Sequence, residues 1–540
     1  MKKHIIIATA IILAVAAIAV TAVLLSRDPA TGTLSQSDDG QGGTAAGGTS
    51  GSSVGQDSGA DGGQGTGGTG TGQDAGAAEG QGAGAAGGDP VSAANVVDVR
   101  DLNIYSYDSD LAKMVKAYAE RHPEFNYNVK GYLYSQIDDH HTLSKMNENM
   151  QSEGPDVVDI YCVRYVLSHE VIKGEYSKHA CTYKELGIDV DAALKKADIP
   201  QHIIDAGTNP DGEIIALPYI TGANVFLYRR SVAKAVWGTD DPDKIAGIIG
   251  AGTENWDRFL EAAQTLKEHG CYIVPSFSDV SNMIDTSLAA SFTKSDENGE
   301  INPKWLEFMD VAKKMLDNGY FQPMMEYYWW SGEWINAMKG KGEKPVLGYI
   351  ISYDYIGYLL RSDILLNSTD GDWAICLPPF NSSVSFYTGI MVNKDSPNKD
   401  ALGPLIEWLT LDCSETGLQY ILANDKLVDK NSQQYVLNGG KRAVISRSLL
   451  KNTECSVDLL GGQNINPVIY DALNTPTGRH DREGIEWRFF NMWLEETKAY
   501  IHGEKDRETA VADYKKAEKE TISWYKKIFE EYGISFLLPE

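Results

Sequence analysis

Between Arg27 and Arg100 the chain has no lysine or arginine, and it has no aromatic residue before Tyr105. A stretch without cations or rings, made mostly of Gly, Ala, Ser, Thr, Gln and Asp, buries too little apolar surface to offset the entropy of ordering it. Cysteine is scarce as well: Cys162, Cys181, Cys271, Cys376, Cys413 and Cys455 stand singly, with no Cys-x-x-Cys pair and no Cys/His cluster. That spacing excludes the usual zinc frameworks, and buried free thiols are expected in preference to disulfides. Cations are short overall, with 48 Lys and Arg against 75 Asp and Glu, a formal net charge of -27. Such a field repels nucleic acid and anionic lipid heads, so neither is an expected partner. Catalytic signatures are missing too: there is no Gly-x-Ser-x-Gly elbow and no phosphate-binding loop, and His169-Glu170 lacks the second histidine of a zinc-protease helix. Gly63, Gly65 and Gly68 satisfy a dinucleotide pattern formally, but no strand precedes them and no helix follows. Asp138 to His141 read as a solvated helix face, since neighbours at i and i+1 diverge. Asp296 to Glu300 read as a polar turn rather than a calcium loop. No metal or cofactor is expected.

What is present begins with residues 5 to 25, an uncharged and largely apolar run behind Lys2 and Lys3. At 1.5 Å per residue, about 20 such residues span one hydrocarbon core, and the preceding lysines favour an inside N-terminus. Residues 1–27 are therefore expected to be a transmembrane anchor. The alternative is a signal segment cleaved at a small-residue site such as Ala17-Ile18-Ala19, although those sites lie inside the run. Both readings place the rest of the chain outside the cell. Residues 28–94 then form a disordered Gly-rich linker, a coil of about 65 residues reaching roughly 45 Å.

The pattern changes near Val96. VVDVRDLNIYSY reads as a strand, DLAKMVKAYAERHPEF as an amphipathic helix, NYNVKGYLY as a strand, SQIDDHHTLSKMNENMQSEG as a helix and PDVVDIYCV as a third strand. Strand alternating with helix is the signature of an α/β fold with parallel strands, in which ligands sit at the carboxyl ends of the strands. Tyr105, Ser106 and Tyr107 would then edge a site, with Asp159, Tyr161 and Arg164 around the end of the third strand. Further along, CYIVPSF reads as a strand, KPVLGYIISYDY, GDWAICLPPF and FYTGIMVNKDS as strands, and the last hundred residues as mostly helical.

Four stretches carry a resemblance. They are Glu120-Arg121-His122-Pro123, Gly154-Pro155-Asp156-Val157-Val158, Gly212 to Pro218 followed by Leu227-Tyr228-Arg229, and the ordered series Trp334 to Met338, Gly371 to Phe380, Gly389 to Val392 and Ser396 to Ala401. In this order, from about Asn95 to the end, the chain resembles the family 1 extracellular solute-binding proteins of ABC importers, which include maltodextrin-binding proteins. Two features depart from that pattern: Arg229 stands where the family usually has Asn, and no lipid-anchor cysteine follows the apolar run. The resemblance implies a two-lobe periplasmic-binding-protein-like clamp with a hinge over residues 95–540. Lobe one would hold about 96–218 plus part of 345–400, and lobe two about 225–340 plus most of 400–540. The first crossing is expected near Tyr219 to Asn224, where Gly222 relaxes. It also implies a small polar ligand, a mono- or oligosaccharide, captured for an ABC permease without bond cleavage.

A sugar offers an apolar face to aromatic rings and a rim of hydroxyls to carboxylates, amides and Arg. Strand-end placement together with family position selects Tyr105, Asp108, Asp159 and Tyr387, and strand-end placement alone adds Tyr107. The resemblance adds rings from Tyr327-Tyr328-Trp329-Trp330 with Trp334, from Tyr353 and Tyr355, and from Trp487, Phe489 and Phe490. Trp329, Trp330, Tyr353, Tyr355 and Trp487 are the ligand-stacking candidates. Most rings in a folded part of this size fill cores, which is the competing reading for each. Two other functions remain open on sequence: an exported carbohydrate-active enzyme with paired carboxylates, and a ligand-sensing module for a membrane receptor.

Overall fold

The computed structural model describes residues 99–531 except 108, 135–145, 147, 151–156, 165–168, 286–299, 324–330, 354–355, 357–368, 370, 381–382, 385–387, 425–442 and 475–483. The apolar run 5–25, the linker, and the expected helix over most of 135–154 lie outside the described residues. Among the described residues no helix is long and apolar enough to cross a membrane.

Eight strands make the two main sheets: β1 (Arg100–Ser106), β2 (Tyr127–Leu133), β3 (Ile160–Arg164), β4 (Gly222–Arg229), β5 (Gly348–Ser352), β6 (Trp373–Cys376), β7 (Ser383–Val384) and β8 (Thr388–Val392). The first sheet has the order β2-β1-β3-β8, with β2 and β3 parallel to β1 and β8 antiparallel to β3. Parallel neighbours need a crossover. Helix Asp110–Arg121 supplies it between β1 and β2, burying Leu111, Met114, Val115 and Tyr118 at the spacing one helix face requires. In the second sheet β4 lies between β5 and β6, antiparallel to both, and its first residues also pair with β7.

β4 is covered on both faces, which is why it reads as an unbroken apolar run rather than an alternating one. Phe226 and Tyr228 join a cluster with helices Pro242–Ile249, Asp257–Glu268, Pro303–Asp317 and Gly484–Ile501. Val225 and Leu227 face the other way, into a cluster that extends to the first sheet. The two sheets therefore share one core. Close packing dictates one glycine here: a Cβ on Gly348 would meet the Phe226 ring at 2.2 Å. Arg229 locks the end of β4. Its guanidinium pairs with Asp372 at 2.6 Å, donates to the Met338 carbonyl at 3.1 Å and lies 5.0 Å from the centre of the Trp373 ring.

Two expectations need correction. Cys271 to Phe277 is not a strand: Tyr272 makes one isolated bridge to Val346, and a helix starts at Phe277. Pro275 has no N–H to offer a ladder, and the Ser276 hydroxyl donates to Asp279 across the first helical turn. The C-terminal third also divides between the sheets instead of falling mostly on one side. Helix Gly403–Thr410 packs on the first-sheet side, where Trp408 lies 5.2 Å from Tyr118, and Ser446 donates to the Ala197 carbonyl. Residues 456–463 turn to the second sheet: the Gln463 side chain both accepts from and donates to the Ile375 backbone, and Arg230 donates to the Leu460 carbonyl, while helix Asn466–Leu473 packs back on helix Arg447–Asn452. Of residues 345–400, only β8 joins the first sheet. The chain thus passes between the sheets at 217–222, between β6 and β8, and at 453–455.

Candidate functional site

Because β1, β2 and β3 run parallel, their carboxyl ends share one edge of the first sheet. Tyr105 and Tyr107 stand there from β1, Tyr134 follows β2, and Tyr161 and Arg164 come from β3. The Tyr105 ring lies 5.2 Å from Tyr134 and 6.1 Å, edge to face, from Tyr161. Tyr107 lies 6.4 Å from Tyr134, and the Arg164 guanidinium sits 5.9 Å from the centre of the Tyr107 ring. Tyr105, Tyr107 and Arg164 are half-buried, while Tyr134 and Tyr161 are buried. Tyr134 is anchored, donating to the Cys162 carbonyl at 2.7 Å. The Tyr161 hydroxyl has no hydrogen-bond partner among the described residues. Burial, reinforced by Tyr105 and Asp159, holds that phenol protonated well above its ordinary range. The edge combines ring faces, phenolic hydroxyls and one cation, a set suited to a polar ligand with an apolar face.

The opposite end of the same sheet differs in kind. Asp159 precedes β3 at its amino end and is 1% exposed. One carboxylate oxygen accepts from the Asn103 N–H at 2.7 Å; the other accepts from the Ser396 hydroxyl at 2.5 Å and from Asn398 Nδ2 at 3.1 Å. Burial raises its pKa despite these donors. Asp159 is therefore a buried tie between β1, β3 and the turn after β8, and its placement at a ligand edge is corrected. The error was one of strand polarity: the strand begins after Asp159, so this carboxylate lies before the first residue of β3, where β1 and the turn after β8 take up both its oxygens.

Tyr353 is likewise corrected. It is 2% exposed inside the core shared by the two sheets. Trp334, Phe489 and Phe490 are also core residues. Trp487 lies in helix Gly484–Ile501, with its side chain outside the description. Asp108, Trp329, Trp330, Tyr355 and Tyr387 lie outside the described residues. Tyr105 and Tyr107 are brought together at the parallel edge. Tyr134 was missed, although the same signal marks it: it ends NYNVKGYLY as Tyr105 and Tyr107 end the first strand. Among the described residues no three His, Cys, Asp or Glu side chains gather as a metal site requires. None of the six cysteines forms a disulfide; five are buried and Cys413 is half-buried.

Two sheets of mixed strand direction, joined by repeated crossings, make a periplasmic-binding-protein-like fold. The family model for bacterial extracellular solute-binding proteins matches residues 182–412, a stretch that includes the whole second sheet and β8. Over residues 182–412 the chain is similar to that family. No curated protein matches it in sequence. Solved structures match it in fold. A family 1 extracellular solute-binding protein aligns with a TM-score of 0.58 and 14% identity, covering 78% of this chain and 99% of that one. The sugar-binding protein MalE from Xanthomonas citri gives 0.55 and 14%, covering 80% and 99%. The galacto-N-biose-/lacto-N-biose I-binding protein of the ABC transporter from Bifidobacterium longum, in complex with lacto-N-biose, gives 0.51 and 16%, covering 81% and 99%. The fold is that of these binding proteins.

Proposed function

We propose that the chain captures a mono- or oligosaccharide outside the cell, closes on it about a hinge and presents it to an ABC permease. The observation that carries this reading is the tyrosine edge of the first sheet, where the half-buried Tyr105, Tyr107 and Arg164 gather over the buried rings of Tyr134 and Tyr161. Ring faces stack on the C–H face of a pyranose, and phenols pair with its hydroxyls. Two of the structural neighbours are sugar-binding proteins by their descriptions, which supports the ligand class. Asp108, Trp329, Trp330, Tyr355, Tyr387 and Trp487 are proposed as further ligand contacts. Lobe one would comprise residues 99–218, β8 and about 400–452; lobe two would comprise 222–376 and about 456–531. A ligand touching both lobes only in the closed form shifts the equilibrium toward closure by its differential affinity. No bond is broken in this scheme. Residues 1–27 would anchor the chain in the membrane, with 28–94 as a tether.

The test is a thermal-shift screen of the full chain against mono- and oligosaccharides, followed by calorimetry on any hit. A true ligand at 100 times its dissociation constant adds about 2.7 kcal/mol of stability. A hit that Tyr105→Ala weakens by at least about tenfold, with the melting temperature little changed, supports the edge as the site. Conversion of a sugar to product during the incubation would favour an enzyme instead, and no shift with any sugar would overturn the ligand class.

A further inference from the structure

The first crossing is not a free strand. Three alternate residues of it are fastened, one after another, to the first-sheet side. At Leu217 the backbone N–H donates to the Tyr183 hydroxyl at 2.9 Å, and that hydroxyl donates to the Ile390 carbonyl at 2.9 Å. At Tyr219 the carbonyl accepts from Gln419 Nε2 at 2.8 Å. At Thr221 the N–H donates to the Ala443 carbonyl at 2.9 Å. The next residue, Gly222, is the first of β4 and belongs to the second sheet.

Gln419 is the centre of this arrangement. It is fully buried, on helix Leu418–Ala423. Its amide nitrogen also donates to the Leu409 carbonyl at 3.1 Å, in the last turn of helix Gly403–Thr410, and its oxygen accepts from the Ile445 N–H at 3.2 Å. One side chain thus joins the crossing, a helix end and the segment that holds Thr221. A buried amide with both donors and its acceptor engaged fixes its neighbours in one geometry. Glycine, with no Cβ, absorbs dihedral change at least cost.

We propose that Gln419 is a positioning residue for closure: it makes the first crossing, through Thr221, a rigid extension of the first lobe, and so sets Gly222 as the point where the lobes turn. Tyr183 does the same one step earlier, at Leu217. The proposal rests on the reading of the chain as a closing clamp. With Gln419 disengaged, the rotation spreads back over residues 219–221, and the free protein samples a wider range of lobe separations.

The experiment measures the distance distribution between nitroxide labels on exposed sites of the two sides, Lys116→Cys and Glu261→Cys, by double electron–electron resonance. It uses the full chain in detergent, with Cys413→Ser to remove the one half-buried thiol. In Gln419→Met, which keeps length and volume and loses all three hydrogen bonds, the distribution without ligand is expected to widen about twofold. Phe259→Leu, a second-sheet core change that also lowers the melting temperature, is expected to leave the width unaltered, which separates hinge placement from lost stability. Should Gln419→Met fail to fold, Tyr183→Phe reads the same effect at Leu217, with a smaller widening. A width equal to wild type in the folded variants overturns the role given to Gln419 and Tyr183. A wild-type distance that is single, narrow and unmoved by maltose or lacto-N-biose overturns the clamp reading itself.

Discussion

The two ends of the first sheet use polar groups in opposite ways. At the amino end, Asp159 has donors on both oxygens, and Asn103, Ser396 and Asn398 around it are buried with it. At the carboxyl end, the rings of Tyr105 and Tyr107 are half-exposed and the Tyr161 hydroxyl is unmatched among the described residues. A buried carboxylate with donors on both oxygens stiffens a structure, and removing it leaves those donors desolvated and unpaired. Spare hydrogen-bonding capacity beside ring faces stabilises nothing by itself, and is left for something that arrives later. The contrast separates a structural carboxylate from a ligand edge on the same three strands.

The strongest way to break this comparison is Asp159→Ala. It strands an N–H, a hydroxyl and an amide in the core, and is expected to cost about 3–5 kcal/mol in denaturant unfolding. The affinity of the remaining folded protein for any sugar hit should not change. A loss below about 1 kcal/mol, or a selective loss of binding, would reverse the assignment of the two ends.

Asp279 sharpens the comparison, because it is a second carboxyl buried to the same degree. It accepts from the Ser276 hydroxyl at 2.8 Å and from the Ile350 N–H at 3.3 Å. Burial outweighs these bonds and pushes its pKa up to about 7. A raised folded-state pKa means the fold favours the protonated form. The corresponding stability is fully present below the ordinary carboxylate value and is lost as pH rises from about 4 through about 7, by at most about 4 kcal/mol. Asp279→Asn should flatten the pH dependence of the unfolding free energy over that window, and an unchanged slope would refute the assignment.

Smaller effects are expected at the carboxyl edge. Tyr134→Phe deletes the bond to the Cys162 carbonyl and should cost about 1 kcal/mol in the melting curve. Tyr161→Phe removes a buried hydroxyl with no partner among the described residues, so stability should hold or rise by up to about 1 kcal/mol. If Tyr161→Phe instead destabilises by more than Tyr134→Phe, its hydroxyl is already engaged and the spare capacity is lost from the argument.

Local pattern made much of this legible. The helix Asp110–Arg121 followed from one apolar face and a following proline, and β1, β2 and β3 followed from short apolar runs between polar breaks. Where pattern misled, a nonlocal cause was at work. Tyr353 ends an apolar strand, but that strand is buried to its last residues, so its ring meets core atoms and not a cleft. Asp159 sits beside a strand as a site residue would, but at the end where β1 and the turn after β8 converge on it. The division of the C-terminal helices depended on single contacts, such as Trp408 on Tyr118 and Gln463 on Ile375, that join residues hundreds or scores of positions apart.

Composition and periodicity by themselves determined the α/β class, the order of elements and the tyrosines at the first strand's end, because burial and strand polarity leave a trace within ten or twenty residues. Tertiary structure alone decided which carboxylate is saturated, which rings are core, and how Gln419 reaches Tyr219 two hundred residues away. The reason is that hydrogen-bond saturation and close packing are properties of pairs brought together by the whole fold, and no local window of sequence contains both members of such a pair.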